Sequence, residues 1–494
     1  MPESPTAPAT PSGNDLARSY NEVAYTSFAD SVRHPERLAT IGTLLGMEAA
    51  PLATCRVLEF ACGDGLNLVP IAATLPDATF VGFDLAARPL ATARRMAREL
   101  GLRNVQLLEL DLRDLPADLG TFDYIISHGL YSWVPADVRA HVLPLIARHL
   151  APQGVAFVSY NTLPGCHMRR VVWDMLKYHT RNIDNMPAKV VSARALLELV
   201  GSPVASETAA QQALRAEVRD AGGGPDSALA HDDMGEPNDP VYFHEFMADA
   251  TRSGLAFLAE ARMSTMMGGG LAPEVRQALG PLDRLTREQY LDFVHFRRYR
   301  ESLLCHSGAL SRFVVQPPRA LGMHVTPSLS LRQEAENAGS DSEPDVGVAA
   351  LKQLLLARWP RSVPVAELAV WREQVQPSTP GPRRPIESLL VEMFVAGIVD
   401  LRTAPVSVAA AASERPIAFA PARWMLRESE YATSVYHDSF RLGADDRRLV
   451  ALLDGRHSRA DIFAALGGLV AGPLGGNRLE AALNALARLA LLVR

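Results

Sequence analysis

The residues with the clearest capacity for chemistry lie between positions 57 and 67, in the stretch VLEFACGDGLN. An apolar run there gives way to a turn of small residues that contains Ala61, Gly63 and Gly65. Between a strand and a helix, such a turn lets backbone N–H groups approach a ligand closely, because small side chains leave room. A triphosphate-binding loop would end in Gly-Lys-Ser/Thr, and no lysine occurs between residues 55 and 75. The glycine spacing also differs from that of a dinucleotide-binding turn.

Acidic residues end three consecutive apolar segments of the sequence. Glu59 precedes the turn, Asp84 ends TFVGFD, and Asp111 ends QLLELD. If these segments are parallel strands, the three carboxylates meet at the sheet edge where ligands bind in doubly wound folds. Taken singly, such acids are more often helix caps or solvated turn residues. Together with EFACGDG, they resemble the motifs of class I S-adenosylmethionine-dependent methyltransferases, with Ala61 replacing the first glycine.

That resemblance implies S-adenosylmethionine as the cofactor. Asp84 is expected at the ribose hydroxyls and Asp111 near the adenine amino group, and a carboxylate-lined cleft suits the sulfonium and ammonium charges. Tyr20 and Tyr25 precede the first strand, in a segment that often covers the cofactor in this class, with a hydrophobic lid as the alternative. The predicted cofactor-binding residues are Tyr20, Tyr25, Glu59, Ala61, Gly63, Gly65, Asn67, Asp84, Leu85, Asp111, Leu112 and Ser127.

The segments FDYIISHGLYSWVPADV and SYNTLPG supply candidates for the acceptor side. Methyl transfer is an in-line displacement at carbon, so the protein must align the reacting groups and exclude water. A lysine acceptor must also lose a proton, which an apolar pocket beside a sulfonium favours. Core packing for the aromatic residues, and hydrogen bonds to neighbouring backbone for the polar ones, are the alternatives. The predicted catalytic residues are His128, Tyr131, Trp133, Tyr160 and Asn161.

The cysteines and the acidic run at residues 231–233 give weaker indications of function than the motifs above. None of the four cysteines forms a close pair with metal-ligand spacing, and Cys62 in the turn has no base or partner cysteine nearby in the sequence, so we interpret it as packing. The run His231, Asp232, Asp233 has a metal-like composition without the spacing of a defined site. We predict a solvated loop there and no metal site.

Strand-like and helix-like segments alternate from about residue 20 to residue 178, which predicts a parallel sheet with helices on both faces, a Rossmann-like α/β fold. The unit PVYFHEFMADATRSGLAFLAEA is typical of strand, helix, strand and is a candidate to complete the sheet from across an insertion. Two later pieces each combine short helices with an apolar tail, which suits winged-helix-like modules or, alternatively, a plain helical bundle.

A narrower resemblance rests on SYNEVAYTSFADSVRHPERL, HGLYSWVP, SYNTLPG, VYFHEFM and EQYLDFVHFRRYRESLL. These stretches resemble bacterial methyltransferases that carry a methyltransferase regulatory domain, a family that includes protein lysine methyltransferases of outer-membrane proteins. The resemblance implies a mainly α middle domain and a C-terminal winged-helix domain, to which DGRHSRADIFAAL is similar. The expected domains are a disordered tail at 1–17, a core at 18–222, the regulatory domain at 223–310, a linker at 311–348 and the winged-helix-like domain at 349–494.

The net charge and the lack of long apolar stretches limit the classes of binding partner that the sequence favours. With a net charge of -6 and 21% charged residues, the chain lacks the basic character of a nucleic-acid-binding protein. No apolar stretch reaches about 18 residues, and the first residues lack a signal-peptide pattern, so we expect a cytoplasmic protein without membrane insertion. The predicted acceptor is a protein side chain, in particular lysine, and a homodimer is one option for the assembly. The alternatives are a small-molecule methyltransferase and a cofactor-binding sensor or scaffold without turnover.

Overall fold

The computed structural model describes residues 18, 21–22, 25, 27–204, 206–337, 346–374, 384–467 and 475–493. Residues 1–17, predicted to be a disordered tail, and the cofactor candidate Tyr20 lie outside these ranges, as do residues 338–345 of the predicted linker.

A seven-stranded sheet forms the centre of the molecule, with the strand order β3-β2-β1-β4-β5-β7-β6. The first five strands in this order are parallel, and β7 and β6 run antiparallel to their neighbours. This sheet confirms the predicted Rossmann-like α/β class. The strands are β1 (Arg56–Phe60), β2 (Thr79–Asp84), β3 (Val105–Glu109), β4 (Phe122–Ser127), β5 (Leu150–Asn161), β6 (Leu255–Glu260) and β7 (Tyr299–His306).

Helices cover both faces of the sheet. Along β1, Val57 packs in one apolar cluster and the next residue, Leu58, packs in the other, as expected for a strand buried on both sides. The first cluster includes helices α1 and α2, and the second includes α4. The helices of this part are α1 (Pro35–Leu44), α2 (Leu68–Thr74), α3 (Ala87–Glu99) and α4 (Ala136–His149).

The region between the parallel strands and the C-terminal third is mainly helical, but it also contributes β6 and β7 to the sheet. The sheet therefore continues past residue 222, where the core was predicted to end. The expectation that LAFLAE extends the sheet is met, with β7 lying between it and β5. The helices are α5 (Cys166–Thr180), α6 (Met186–Gly201), α7 (Ala209–Gly223), α8 (Phe243–Arg252), α9 (Pro273–Leu279) and α10 (Arg284–His295).

A buried charge cluster fastens α10 to these two antiparallel strands. Arg300 of β7, which is 1% exposed, lies 2.6 Å from Glu260 of β6 and 2.8 Å and 3.2 Å from Asp292 and Glu288 of α10. Because the guanidinium and the carboxylates are all buried, removal of one charge would leave the others uncompensated. The cluster thus fixes Tyr299, the residue that immediately precedes Arg300 in β7.

The C-terminal third contains a three-stranded sheet of order β10-β8-β9 and a two-stranded hairpin of β11 and β12. The linker prediction for 311–348 is wrong at its centre, because β8 pairs with β10 there and Val325 is fully buried. The polar stretch SLSLRQEAENAGSDSEPD at residues 328–345, which favours a linker by composition, begins only after this strand. The elements are β8 (His324–Pro327), α11 (Leu329–Asn337), α12 (Val346–Arg358), β9 (Val363–Pro364), α13 (Val365–Gln374), α14 (Ile386–Val395), β10 (Val399–Arg402), α15 (Ala420–Glu428), β11 (Tyr431–Thr433), β12 (Ser439–Arg441), α16 (Ala444–Leu452), α17 (Arg459–Leu466) and α18 (Gly475–Arg488).

Candidate functional site

A cavity of about 480 Å³ lies at the carboxyl ends of the parallel strands. Twelve of the seventeen predicted site residues line it, at the turn after β1, the ends of β2 and β4, and the loop after β3. The predicted residues in its wall are Tyr25, Glu59, Ala61, Gly63, Asn67, Asp84, Leu85, Asp111, Leu112, His128, Trp133 and Asn161.

The turn after β1 has the backbone conformation that its small residues predict. Ala61, Gly63 and Gly65 all have positive φ, at 52°, 53° and 72°. Gly65 does not line the cavity; instead it lets the turn approach α3, since a Cβ on it would come within 2.7 Å of Ala93 Cβ. Ala61 accepts a conformation that costs an L-residue roughly 1–2 kcal/mol. The turn is therefore held in shape against local strain.

Asp84 at the end of β2 organises the turn. Its Oδ2 accepts a hydrogen bond from the Gly63 N–H at 2.8 Å, and its Oδ1 accepts one from the Ala86 N–H at 2.7 Å. Burial raises the pKa of this carboxyl, while both hydrogen bonds favour the charged form. Each oxygen retains a lone pair for a ligand hydroxyl.

Asp111 lies in the wall but is already paired. Its carboxylate accepts hydrogen bonds from the Arg113 backbone N–H at 2.8 Å and from the Arg113 guanidinium at 2.8 Å and 3.0 Å. The Arg113 guanidinium lowers the pKa of Asp111. A local capping role, considered for each acid from the sequence, is thus realised at this position.

Glu59 shows that the site suits a cationic ligand. Its Oε1 accepts a hydrogen bond from Asn67 Nδ2 at 2.9 Å, whereas its buried Oε2 has no partner within the described residues. Burial raises the pKa of Glu59 to about 8. A buried carboxylate oxygen without a donor is costly, and a ligand ammonium at this wall would relieve that cost. The residues present therefore fit a cofactor that carries an amino group.

His128 lies at the end of β4, in a network of hydroxyl groups. Its Nδ1 is 3.0 Å from Ser159 Oγ and 3.3 Å from Tyr299 Oη. Burial, followed by the charge of Arg33, lowers the pKa of His128 well below its ordinary value. The imidazole is therefore neutral at physiological pH and is held in a fixed orientation.

Trp133 and Asn161 complete the predicted acceptor wall. The Trp133 Nε1–H is buried without a partner among the described residues. Asn161 Nδ2 donates to Asn238 Oδ1 at 2.8 Å, and Asn238 Nδ2 donates in turn to the Asp232 carbonyl at 2.8 Å. This chain links the end of β5 to the segment at residue 232.

Two aromatic predictions are corrected by the structure. Tyr131 and Tyr160 are absent from the cavity wall and pack in the core against Phe246 of α8, with ring centroids 5.2 Å and 4.1 Å away. The Tyr160 hydroxyl is 3.1 Å from Ser302 Oγ. Tyr160 belongs to the face of β5 that packs on α8, a neighbour that sequence order does not reveal. Both residues therefore stabilise the wall from behind and do not face a ligand.

Ser127 is also misplaced by the sequence prediction. It is fully buried at the end of β4 and does not line the cavity. The residue that directly follows the strand, His128, lines it instead, in keeping with the alternation of side chains.

Asp232 and Asp233 correct the prediction of a solvated loop. Both line the cavity, and Asp233 is 4% exposed. Asp233 accepts hydrogen bonds from Arg169 Nε at 2.7 Å and from Trp173 Nε1 at 3.0 Å. Arg169 and Trp173 lie four residues apart on α5, so their shared helix face was a usable signal. Within the described residues, no group of His, Cys, Asp and Glu has the arrangement of a metal site.

Asp232 faces the predicted lid residue Tyr25. The Tyr25 hydroxyl donates to Asp232 Oδ2 at 3.0 Å, although 207 positions separate the two residues. Burial raises the pKa of Asp232 to about 7, against the opposing effect of this hydrogen bond. Sequence analysis also missed Arg33, Arg298 and Tyr299, which reach the cavity from segments far apart in the chain. Folding thus brings the Asp232 carboxylate into the wall of the cavity that the glycine-rich turn also lines.

Comparison with known proteins agrees with this architecture. Residues 57–154 match the family described as "Methyltransferase domain", residues 225–306 match "Predicted methyltransferase regulatory domain", and residues 414–473 match "PKMT, C-terminal winged helix domain". The structure of PKMT2 from Rickettsia typhi in complex with AdoHcy superposes with a TM-score of 0.83 at 25% identity, covering 95% of this chain and 100% of that one.

Two curated relatives come from Rickettsia prowazekii, and both are uncharacterised proteins. One is 38% identical over 290 residues, which are 58% of this chain and 52% of that protein. The match therefore spans about half the length of this relative. The other is 34% identical over 241 residues, which are 49% of this chain and 96% of that protein.

The seven-stranded sheet with its glycine-rich turn and acidic strand ends defines a class I methyltransferase fold, with S-adenosylmethionine as the cofactor. More narrowly, the chain belongs to the family of such methyltransferases that carry a methyltransferase regulatory domain and a PKMT C-terminal winged-helix domain. The sequence-based predictions of family, fold class and cofactor are confirmed. Within the described residues, no helix is long and apolar enough to span a membrane.

Proposed function

We propose that this chain is an S-adenosylmethionine-dependent methyltransferase whose acceptor is an amine, in particular a lysine side chain of a protein. One observation carries the proposal. One cavity is lined both by the glycine-rich turn with Glu59 and Asp84 and by Asp232, Tyr25 and Tyr299. The first group suits the cofactor, and the second suits a cationic acceptor.

The cofactor, when bound, supplies a methyl group activated on a sulfonium. In the proposed arrangement, Glu59 Oε2 accepts a hydrogen bond from the cofactor ammonium. Asp84 accepts hydrogen bonds from the ribose hydroxyls while it keeps its bonds to Gly63 and Ala86. Asp111, Leu85 and Leu112, which also line the cavity, would hold the adenine. The backbone of the turn gives the close approach that these contacts require.

The acceptor end would attract and then deprotonate an amine. The Asp232 carboxylate favours the ammonium form of an incoming lysine by Coulomb attraction. Transfer requires the neutral amine, and exclusion of water lowers the pKa of the amine. Because burial raises the pKa of Asp232 to about 7, its carboxylate is basic enough to take the amine proton. The neutral imidazole of His128 and the ring of Trp133 would hold the amine in line with the methyl group.

A protein acceptor is supported by the family relation. The winged-helix family matched at residues 414–473 and the solved structure from Rickettsia typhi both carry the abbreviation PKMT, for protein lysine methyltransferase. The net charge of -6 agrees with a polypeptide acceptor that presents a cationic side chain. A homodimer and a cytoplasmic location stay predictions.

The experiment is incubation of the purified protein with radiolabelled S-adenosylmethionine and lysate from its own source, followed by separation of macromolecules from metabolites. We expect label in a protein band that resists acid and base, with methyllysine identified by mass spectrometry. The Glu59→Gln variant is the matched control and should give no label. Label confined to metabolites would indicate a small-molecule methyltransferase, and cofactor binding without label would indicate a sensor; either result contradicts the proposal.

A further inference from the structure

A residue from the C-terminal third reaches the cofactor turn. His437 lies between β11 and β12, within the segment matched by the winged-helix family. Its Nε2 is 2.9 Å from Asn67 Oδ1, across a separation of 370 positions. His437 is 2% exposed and Asn67 is 4% exposed, so this contact is shielded from water.

The contact extends to the carboxylate in the cavity wall. Asn67 Nδ2 donates to Glu59 Oε1, so Asn67 Oδ1 is the acceptor that faces His437. His437 must then donate through a protonated Nε2. Burial, together with the charges of Arg33 and Arg402, lowers the pKa of His437 to about 3, so the ring is neutral and this tautomer is consistent with the contact. A directed chain of hydrogen bonds therefore runs from His437 through Asn67 to Glu59.

The Asn67 side chain does not cap its own helix and instead takes part in this series of hydrogen bonds. It occupies the N-cap position of α2, where asparagine commonly accepts a hydrogen bond from the first turn. Here its side chain makes no such cap bond. The amide is committed instead to Glu59 on one side and to His437 on the other. The local capping energy is thus replaced by a contact with the C-terminal domain.

The loop between β11 and β12 holds His437 in a defined backbone conformation. His437 has φ +67°, a left-handed conformation that side chains seldom adopt. The Ser434 side chain accepts hydrogen bonds from the backbone N–H groups of Tyr436 and Asp438 at 3.1 Å and 3.2 Å. Asp438 pairs with Arg332 at 2.7 Å. The strained residue is therefore fixed by its neighbours on both sides.

We propose that the C-terminal domain sets the affinity for the cofactor through His437, a positioning residue that orients Asn67 and thereby aims Glu59 Oε2 at the cofactor amino group. The inference rests on the cofactor role proposed above for Glu59 and does not depend on the identity of the acceptor. The competing role for His437 is packing, since its ring also meets the ring of His34 edge-on at 5.6 Å between centroids.

Calorimetric titration of the full chain with S-adenosylmethionine tests the proposal. His437→Ala should weaken the affinity about tenfold, the usual effect of one lost buried hydrogen bond. Asn67→Ala should have a similar or larger effect, and the double variant should be no weaker than Asn67→Ala alone, because both changes break one chain. His437→Gln, which retains a side-chain N–H donor, should recover most of the affinity.

Two controls separate positioning from packing. Tyr436→Phe removes the neighbouring hydrogen bond to the Pro360 carbonyl and should leave the affinity unchanged. 5′-Methylthioadenosine lacks the amino-acid part of the cofactor, so its affinity should be equal in wild type and His437→Ala. A packing role would instead weaken both ligands alike.

The following outcomes would overturn the inference: unchanged S-adenosylmethionine affinity in a folded His437→Ala variant, additive effects in the double variant, or equal losses for the two ligands. If His437→Ala fails to fold, the comparison of Asn67→Ala with His437→Gln for the two ligands decides the question in the same way. Wild-type binding without methylation of any acceptor would overturn the proposed activity and leave this inference standing. Absence of binding by the wild type would overturn both.

Discussion

The proposed cofactor and acceptor ends of the cavity are assembled in different ways. At the cofactor end, the contact between Gly63 and Asp84 joins residues 21 positions apart at the ends of neighbouring parallel strands. At the acceptor end, Tyr25 meets Asp232 across 207 positions, and His128 meets Tyr299 across 171. The first end depends on the connection of one strand to the next, and the second depends on where distant segments fold back.

Because of this difference, different parts of the structure hold the two ends in place. The cofactor turn is fixed by its own backbone and by Asp84. The acceptor end is fixed by β7 and by the segment at residue 232, which join the sheet region through buried polar contacts. Changes in one support should therefore damage one end and spare the other.

The largest expected effect comes from Arg300→Met, which removes the guanidinium from the cluster behind Tyr299. Glu260, Glu288 and Asp292 would lose the Arg300 guanidinium, and Arg297 would be left as the cation beside Glu288 and Asp292, at a cost of about 3–5 kcal/mol. Thermal or denaturant unfolding measures this loss. Retained S-adenosylmethionine binding by the folded fraction would support separate supports for the two regions of the cavity. An unchanged free energy of unfolding would contradict the role given to Arg300.

Asp84→Ala should come next and should act on the cofactor end. Loss of the bonds to Gly63 and Ala86, and of acceptors for the ribose, should weaken S-adenosylmethionine binding by about 1–3 kcal/mol. Calorimetry on the folded variant gives the value. An unchanged affinity would remove Asp84 from the site.

Asp232→Asn should act on the acceptor end alone. The side chain keeps its size and an acceptor for Tyr25 but loses the charge that attracts an ammonium. We expect about a tenfold increase in KM for a lysine acceptor, a lower kcat because the amide cannot take the amine proton, and little change in cofactor affinity. A matched loss of cofactor affinity would instead place Asp232 at the cofactor amino group.

The last effect concerns the pH dependence of cofactor binding. Burial raises the pKa of Glu59 to about 8, with Asp64 and Asp84 acting in the same direction and Arg33 opposing them. At pH 7 the free carboxyl is therefore mostly protonated, and binding of an ammonium favours the ionised form. Affinity should rise as the pH increases from 6 to 8, with release of close to one proton at pH 7.

Calorimetry in two buffers of different ionisation enthalpy measures that proton. Glu59→Gln should abolish this proton release and, if it binds at all, should bind with an affinity that is flat across the interval. Proton release that persists in the variant would assign the titration to another group.

The same contrast explains how much of the site the sequence predicts. The sheet, the glycine-rich turn and the acids at the ends of β1 and β2 follow from apolar runs and spacing, because neighbouring strands bring their ends together. The sequence wrongly predicts Tyr131 and Tyr160 in the cavity wall because α8, which covers them, comes more than eighty positions after Tyr160. The sequence predicts a solvated position for Asp232 because its partner Tyr25 is 207 positions away along the chain.

His437 is an extreme case of the same limit. No local pattern around DSF or VYH indicates a contact with the turn after β1, and the histidine belongs to a different domain. Its role depends on one interface between the C-terminal third and the sheet. Polar residues that reach a site from another domain are visible only once the domains are placed.

A crystal structure of the full chain with S-adenosylhomocysteine would test the central claim most directly, since that product retains the amino and ribose groups in question. We predict the amino group within about 3 Å of Glu59 Oε2, the ribose at Asp84, and the thioether directed toward His128 and Asp232. A ligand bound in the opposite orientation, with its amino group at Asp232 and its ribose away from Asp84, would contradict the division of the cavity into a cofactor end and an acceptor end.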